Sequence, residues 1–305
     1  MNRLQQALTS QGVLLLDGGI GTELLRRGIS ADRPLELANL TCPETVIEVY
    51  CRYREAGAMA VTSNTFLARP TANPLRQLAS FDWSACNREG IRLARQAAGP
   101  DGFVLASVGP PLPDVPLAEA VADALAQTKA LLSNAPSVAP DGILLETQSD
   151  LHFVDGLLEA VGHDGAMTVP FLVSFTYRGD QGPPRLYPSG EPPEEAAKLA
   201  LRHRDRIVAL GVNCGREMGL EALLEVVRSY QRVADLPVLV RPNAGTPTET
   251  DHGPRWPVTP EVFADWAEQL VRAGARLIGG CCGTTPAHIA ATYPRLTAQR
   301  LLKKL

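Results

Sequence analysis

The chain has little of what would direct it to a membrane, to nucleic acid or to a secretory route. No uninterrupted apolar run in its 305 residues approaches the ~20 residues that cross a bilayer, and the first residues form no long apolar signal segment. With a formal net charge of -4 and arginines scattered among acids, it offers no basic patch for nucleic acid. We therefore predict a cytoplasmic protein that acts on small molecules.

Histidine is scarce, and the cysteines follow no disulfide-framework spacing. The five histidines share no metal-ligand spacing, and only His252 falls in a loop expected near a site. Six cysteines in a chain of this length fit a reducing compartment, in which thiolates stay available to a metal. Cys42, Cys51 and Cys86 lie in or beside helical patterns, and we interpret them as unpaired thiols.

The other three cysteines are placed as a metal site requires. Cys281 and Cys282 are adjacent in the run GGCCGT at 279–284, and Cys214 closes the apolar segment 207–214. Successive side chains of a strand point to opposite faces, so both neighbours can hold one ion only where the backbone turns, which the glycines permit. Three sulfur ligands leave the fourth position of a tetrahedral zinc open, as in catalytic sites. The alternatives are a vicinal disulfide or simple packing of buried thiols.

Short apolar runs alternate with amphipathic helical stretches, a pattern typical of βα units around a parallel sheet. The predicted strands are 13–17, 58–66, 103–109, 142–147, 170–177, 207–214, 237–243 and 276–282. The predicted helices include 43–56, 117–132, 193–204, 220–233 and 260–273. We predict an α/β fold, a TIM (β/α)8 barrel, as a single domain over 1–305. A doubly wound sheet is the competing fold, but DGGIGTEL at 17–24 lacks the glycine spacing of a dinucleotide loop.

Most predicted strands end in polar residues, and the carboxyl ends of the strands are where TIM-barrel sites form. These residues include Asp17, Asn64, Glu146, Asn213, Cys214, Asn243, Cys281 and Cys282. The three cysteines then share one rim, because strands six and eight flank strand seven. Asp17 and Glu146 are alternatively helix caps or loop carboxylates. The three asparagines are explained equally well as ties for the loops.

Seven motifs, in this order and spacing, resemble the homocysteine S-methyltransferase family, zinc-dependent barrels that methylate homocysteine to methionine. They are LDGGIGTEL at 16–24, TSNTF at 62–66, SVGP at 107–110, LET at 145–147, GVNC at 211–214, RPNAG at 241–245 and GGCCGT at 279–284. The resemblance runs nearly from end to end of the chain, and it implies a fold, a metal and an activity.

The resemblance also implies roles for individual residues. The implied zinc ligands are Cys214, Cys281 and Cys282. The implied substrate-binding residues are Asp17 and Glu146, around the homocysteine amino group, with Phe66 and Asn213 beside the substrate. No catalytic residue beyond the zinc site is expected.

Physical chemistry favours alkyl transfer at such a site. A free thiol of pKa ~8.5 is only a few per cent thiolate at pH 7, whereas a zinc-bound thiol is deprotonated. Three cysteine thiolates make the site anionic, so a zinc-bound homocysteine thiolate stays electron-rich and nucleophilic. A hydrolytic zinc-bound water generally wants a less anionic ligand set.

The methyl donor is predicted to be a free sulfonium, S-methylmethionine or S-adenosylmethionine. The chain ends shortly after the cysteine pair, so we expect no appended corrinoid or folate module and no betaine-enzyme arm. However, PLELANL at 34–40 resembles the homocysteine modules of corrinoid-dependent methionine synthases, and Tyr50 stands where the resemblance leads us to expect histidine. The alternatives are a module supplied from methylfolate through a separate corrinoid protein, and a non-catalytic zinc- or thiol-sensing barrel.

Overall fold

A parallel sheet, curved until its two edge strands meet, is the centre of the fold. The computed structural model describes residues 2–10, 12–75, 81–164, 167–250 and 253–303, so His252 lies outside the described residues. The strands in these ranges are β1 (Leu14–Leu15), β2 (Ala60–Thr62), β3 (Phe103–Val108), β4 (Gly142–Gln148), β5 (Phe171–Phe175), β6 (Tyr177–Arg178), β7 (Arg185–Leu186), β8 (Ile207–Asn213), β9 (Val238–Arg241) and β10 (Ala275–Ile278).

Helices follow most strands and surround the sheet. Those in the described ranges are α1 (Arg3–Thr9), α2 (Ile20–Arg26), α3 (Ala38–Thr41), α4 (Pro43–Glu55), α5 (Trp83–Ala98), α6 (Leu117–Leu131), α7 (Leu151–Asp164), α8 (Pro193–Arg202), α9 (Leu220–Val233), α10 (Pro260–Arg272) and α11 (Pro286–Ala298), with a 3-10 turn at Leu35–Leu37. Within the described ranges, none of these helices combines the length and the apolar character needed to cross a bilayer.

The strand order is that of a closed barrel. Eight strands hydrogen-bond in the order β1-β10-β9-β8-β5-β4-β3-β2, and each neighbouring pair is parallel. An isolated parallel bridge between Leu16 and Ala60 then joins β1 to β2. The predicted α/β TIM (β/α)8 barrel is confirmed. β6 and β7 form a separate antiparallel ribbon in the segment after β5.

The eight predicted strands all form, although several end earlier than expected. β2 ends at Thr62 and β10 at Ile278, whereas the predicted strands 58–66 and 276–282 continue. Beyond these points the predicted strands contribute residues to a cavity, among them Asn64, Phe66, Cys281 and Cys282. The predicted helix starts agree better with the structure than the predicted strand ends do. α4, α8 and α10 each begin at the predicted proline, whose fixed φ suits a first helical turn.

Candidate active site

Three cysteine thiols meet at the carboxyl end of the barrel. The Sγ atoms of Cys214, Cys281 and Cys282 all lie within 4.8 Å of one another, and those of Cys281 and Cys282 are 4.0 Å apart. Tetrahedral zinc with Zn–S bonds of ~2.3 Å separates its sulfur ligands by about 3.8 Å. All six cysteines are free, so the alternative of a vicinal disulfide is not realised. The cluster fits a metal ion that prefers soft ligands.

Unusual backbone conformations bring the three thiols together. Cys214 follows β8 with a φ of 56°, a left-handed value that is uncommon outside glycine and often marks a functional site. Cys281 and Cys282 lie in the turn after β10, which Gly283 continues with a φ of 79°. The Thr284 hydroxyl closes this turn by donating to the Cys281 carbonyl at 2.7 Å. Both adjacent side chains can therefore face the same point, as the flanking glycines predicted.

Hydrogen bonds within the cluster place negative charge on one sulfur. Donation from Cys281 and Cys282 holds the pKa of Cys214 well below its ordinary value. The same contact with Cys214 raises the pKa of Cys281 to about 12, and it also raises the pKa of Cys282 well above its ordinary value. The amides of Asn213 and Asn243 lie 3.6 Å from the Sγ of Cys281 and of Cys214, respectively. A metal that binds three thiolates must displace the protons that two of these sulfurs retain.

A small cavity adjoins the thiols. Its volume is about 220 Å³, below the ~300 Å³ at which pockets for drug-sized ligands begin, so it suits a small amino acid. The cysteine cluster lines it together with Phe66, Glu146 and Arg241. Asp17 and Asn213 are not among the lining residues, and both are fully buried.

Asp17 is engaged in an internal ion pair. Its Oδ1 accepts hydrogen bonds from the Thr62 hydroxyl and from Arg241 Nη2, both at 2.9 Å, and its Oδ2 accepts from the Thr62 backbone N–H at 2.5 Å. The alternative of a helix cap is wrong for Asp17, because the N-cap of α2 is Gly19, with no side-chain cap. The carboxylate instead ties the end of β1 to β2 and β9.

Glu146 is buried but reaches the cavity. Its Oε2 accepts a hydrogen bond from the Ser107 hydroxyl at 2.8 Å, and its Oε1 lies 3.3 Å from Arg241 Nη1. Burial raises the pKa of this carboxyl, and the positive charge of Arg241 opposes the rise. The Glu146 carboxylate is therefore in a position to meet a cationic group in the cavity.

Arg241 is the site residue for which the sequence predicted no role. It is 2% exposed and lies at the end of β9, where it contacts both acidic residues. The sequence does contain a signal for this residue, namely an arginine at the end of an apolar strand. A guanidinium buried at such a position requires acidic partners, which would have indicated a role in a charged site. One sequence does not identify which carboxylates those partners are.

The asparagines have different roles. Asn213 Oδ1 accepts from the Thr147 N–H at 3.0 Å and from the Ser174 hydroxyl at 2.6 Å, so it links three strands while its amide faces the thiols. Asn64 donates to the Leu35 carbonyl at 2.9 Å, and its N–H donates to the hydroxyl of the fully buried Tyr50 at 2.6 Å. Asn64 therefore ties loops, as one of the two interpretations predicted.

The burial of Asp17 predicts a distinct pH dependence of stability. Burial raises its pKa from 3.8 to about 6. Because the folded state holds this proton more tightly than the unfolded chain, the contribution to stability is greatest below about pH 4 and falls as the pH rises through 6. Over this interval the free energy of unfolding of the wild type should fall by about 3 kcal/mol through this titration, and Asp17→Asn should not show that fall. Urea unfolding of both proteins from pH 4 to 7 measures it, and parallel profiles would contradict the assignment.

A family model matches residues 14–296, and its description is homocysteine S-methyltransferase. The chain belongs to the homocysteine S-methyltransferase family. The resemblance drawn from the seven motifs is confirmed, and with it the prediction of an enzyme that transfers a methyl group to a thiol.

Two relatives of this chain differ greatly in length. The chain is 33% identical to a methionine synthase of Mycobacterium tuberculosis over 304 residues, which are 92% of this chain but 24% of that protein. It is 29% identical to the homocysteine S-methyltransferase of Escherichia coli, covering 96% of this chain and 98% of the relative. The chain thus spans about a quarter of the one relative and nearly all of the other.

A solved structure supports the metal interpretation. The chain is similar to the metallated form of the homocysteine methyltransferase MmuM from Escherichia coli, with a TM-score of 0.77 and 29% identity over 96% of this chain and 100% of that one. That neighbour is a metallated form, and in this chain the three thiols lie close enough together to hold a metal ion.

Proposed function

We propose that this family member transfers a methyl group from a sulfonium donor, S-methylmethionine or S-adenosylmethionine, to homocysteine held at Zn²⁺, giving methionine. The observation that carries the proposal is a small cavity lined by both a three-thiol cluster and the carboxylate of Glu146. These groups match the thiol and the ammonium of homocysteine.

Cys214, Cys281 and Cys282 would hold the zinc, since their sulfur atoms are spaced for a tetrahedral ion and leave a fourth position. When bound, zinc lowers the pKa of a thiol and keeps the sulfur ionised at neutral pH. The amides of Asn213 and Asn243 face two of these sulfurs and stabilise negative charge on them.

The residues around the cavity orient the amino acid. Glu146 accepts its ammonium, and Phe66 supplies an apolar surface that limits the access of water. The homocysteine sulfur then forms a bond to the methyl carbon of the donor. The bond between that carbon and the donor sulfur breaks, and its electron pair returns the sulfonium to a neutral thioether. The thiol proton is released to solvent.

A second candidate is methyl supply from methylfolate through a separate corrinoid protein. It is favoured by the 33% identity to a methionine synthase, together with the resemblance of 34–40 to the homocysteine modules of such enzymes. The carboxylate and thiol groups of the cavity would serve this reaction equally well, because the acceptor is unchanged.

Methionine formation by reduced, zinc-loaded protein tests the proposal. Homocysteine is supplied with S-methylmethionine, S-adenosylmethionine, betaine or methylfolate in separate assays. We expect turnover with a sulfonium donor and none with betaine or methylfolate alone. Turnover only after addition of a methylated corrinoid protein would establish the second candidate. Binding of zinc and homocysteine without turnover under any condition would identify a sensor.

A further inference from the structure

Protein groups engage every nitrogen of the Arg241 guanidinium. An arginine offers five N–H donors in a fixed planar arrangement. Its four hydrogen bonds run to the Gly280 carbonyl at 2.9 Å from Nε, to Thr62 Oγ1 at 2.9 Å from Nη1, and to Asp17 Oδ1 at 2.9 Å and the Gly18 carbonyl at 3.2 Å from Nη2. Nη1 also forms an ion pair with Glu146 Oε1 at 3.3 Å. Although Arg241 lines the cavity, all three of its nitrogens are therefore already engaged by protein groups.

Asp17 is equally committed. Its two oxygens accept three hydrogen bonds from Thr62 and Arg241, and its side chain is 0% exposed. A substrate ammonium would reach it only by displacing these partners. The sequence resemblance had assigned Asp17 and Glu146 to the same amino group.

Glu146 differs from Asp17 in the capacity that remains. A carboxylate offers about four lone-pair positions, and Glu146 receives one contact on each oxygen, from Ser107 and from Arg241. Its side chain is 12% exposed, and it lines the cavity. Two acceptor positions are therefore unused at the surface that a substrate meets.

The charges of the three residues give the same result. With Asp17 and Glu146 ionised, the single cation Arg241 leaves one excess negative charge in a buried site. The ammonium of an amino acid neutralises it, whereas a neutral ligand would leave it unbalanced, which is unfavourable in a site of low polarity.

We propose that Arg241 is a positioning residue that engages Asp17 completely, holds Glu146 ionised at the cavity, and thereby makes Glu146 the sole acceptor of the substrate ammonium. This inference rests on the proposed function, since the ammonium is that of homocysteine. Arg241 also holds the Gly280 carbonyl, so one side chain fixes both the ammonium acceptor and the backbone next to the first adjacent cysteine.

The test compares homocysteine with 4-mercaptobutyrate, which has the same thiol and carboxylate but no amino group. Affinities are measured by calorimetry on zinc-loaded protein, and KM and kcat with the active donor. We expect the wild type to prefer homocysteine by about 10- to 100-fold, the range for a hydrogen bond to a charged group. Glu146→Gln should lose this preference, and Asp17→Asn should keep it.

Arg241→Lys tests the positioning role itself. Lysine retains the charge but has three donors and cannot reproduce the planar arrangement of the guanidinium contacts. We expect a higher KM for homocysteine and little change in affinity for 4-mercaptobutyrate, with the two proteins compared at equal zinc content. Because Arg241 acts through Glu146, the double variant Arg241→Lys/Glu146→Gln should show no further loss of preference beyond Glu146→Gln.

Several results would overturn the inference. Equal weakening of both ligands by Arg241→Lys would indicate a purely structural role, and loss of the preference in Asp17→Asn would show that Asp17 also meets the ammonium. If Arg241→Lys does not fold, the contrast between Asp17→Asn and Glu146→Gln still decides. A wild type that shows neither turnover nor any preference for homocysteine would instead refute the proposed function.

Discussion

Cys282→Ala is expected to abolish metal binding and methyl transfer together. Loss of a ligand leaves two thiols for the ion, and changes in the surroundings of a ligand alone weaken metal binding by 10- to 100-fold. We therefore expect zinc affinity to fall by at least about 100-fold. Without the ion, only a few per cent of a substrate thiol is ionised at pH 7. Zinc content after dialysis and methionine formation are the measurements.

The matched control for this variant is Cys51→Ala. Cys51 is a free thiol on α4 that belongs to no group of three metal-ligating side chains in the described part of the chain. It should retain both zinc and activity. Stoichiometric, tightly held zinc in Cys282→Ala would show that the ion does not depend on this thiol, and the proposed ligand set would have to be abandoned.

Gly283→Ala is expected to distort the turn that carries Cys281 and Cys282. Gly283 has a φ of 79°, at which a side chain costs roughly 1–2 kcal/mol, and its Cβ would lie 2.0 Å from Cδ2 of Trp256. Overpacking adds about 1–3 kcal/mol. We expect the free energy of unfolding to fall by about 2 to 5 kcal/mol and zinc affinity to fall with it. Urea unfolding and competition with a chelator measure the two effects.

Gly28→Ala separates the two causes. Gly28 has a similar φ of 84°, but nothing lies within 4 Å of a Cβ placed there. This control should show the backbone cost alone and unchanged zinc affinity. Adding Trp256→Ala to Gly283→Ala removes the collision and should restore part of the zinc affinity. Equal losses in Gly283→Ala and Gly28→Ala would mean that the contact with Trp256 is unimportant.

The sequence was sufficient for the barrel and for the cysteine cluster. Alternating apolar and amphipathic stretches are a local signal, and the eightfold count determined the fold class. Cys281 and Cys282 are adjacent, so the closeness of their thiols could be deduced from the turn that glycines allow, whereas their role as metal ligands stays a prediction. Cys214 followed from the rule that strand ends share one rim.

The roles of the charged residues could not be predicted in the same way. Asp17 and Arg241 are separated by 224 residues, and their 2.9 Å contact depends on β1 and β9 lying on either side of β10. A single sequence shows that each is charged near a strand end, without showing that they neutralise one another. The assignment of Asp17 to the substrate therefore stays a prediction, and a substrate would have to compete with Arg241 for this carboxylate.

The cluster of Asp17, Arg241 and Glu146 lies where the barrel closes. β1 has only two residues, and its join to β2 is a single isolated bridge between Leu16 and Ala60. Asp17 directly follows that bridge and accepts two hydrogen bonds from Thr62, so side-chain hydrogen bonds complete the junction between β1 and β2, where the backbone ladder is short. Partial unfolding of the barrel should begin at this junction between β1 and β2. Asp17 and Thr62, which finish this closure, both contact Arg241, the side chain that also pairs with Glu146 at the cavity, so the closure of the barrel and the candidate site share one guanidinium.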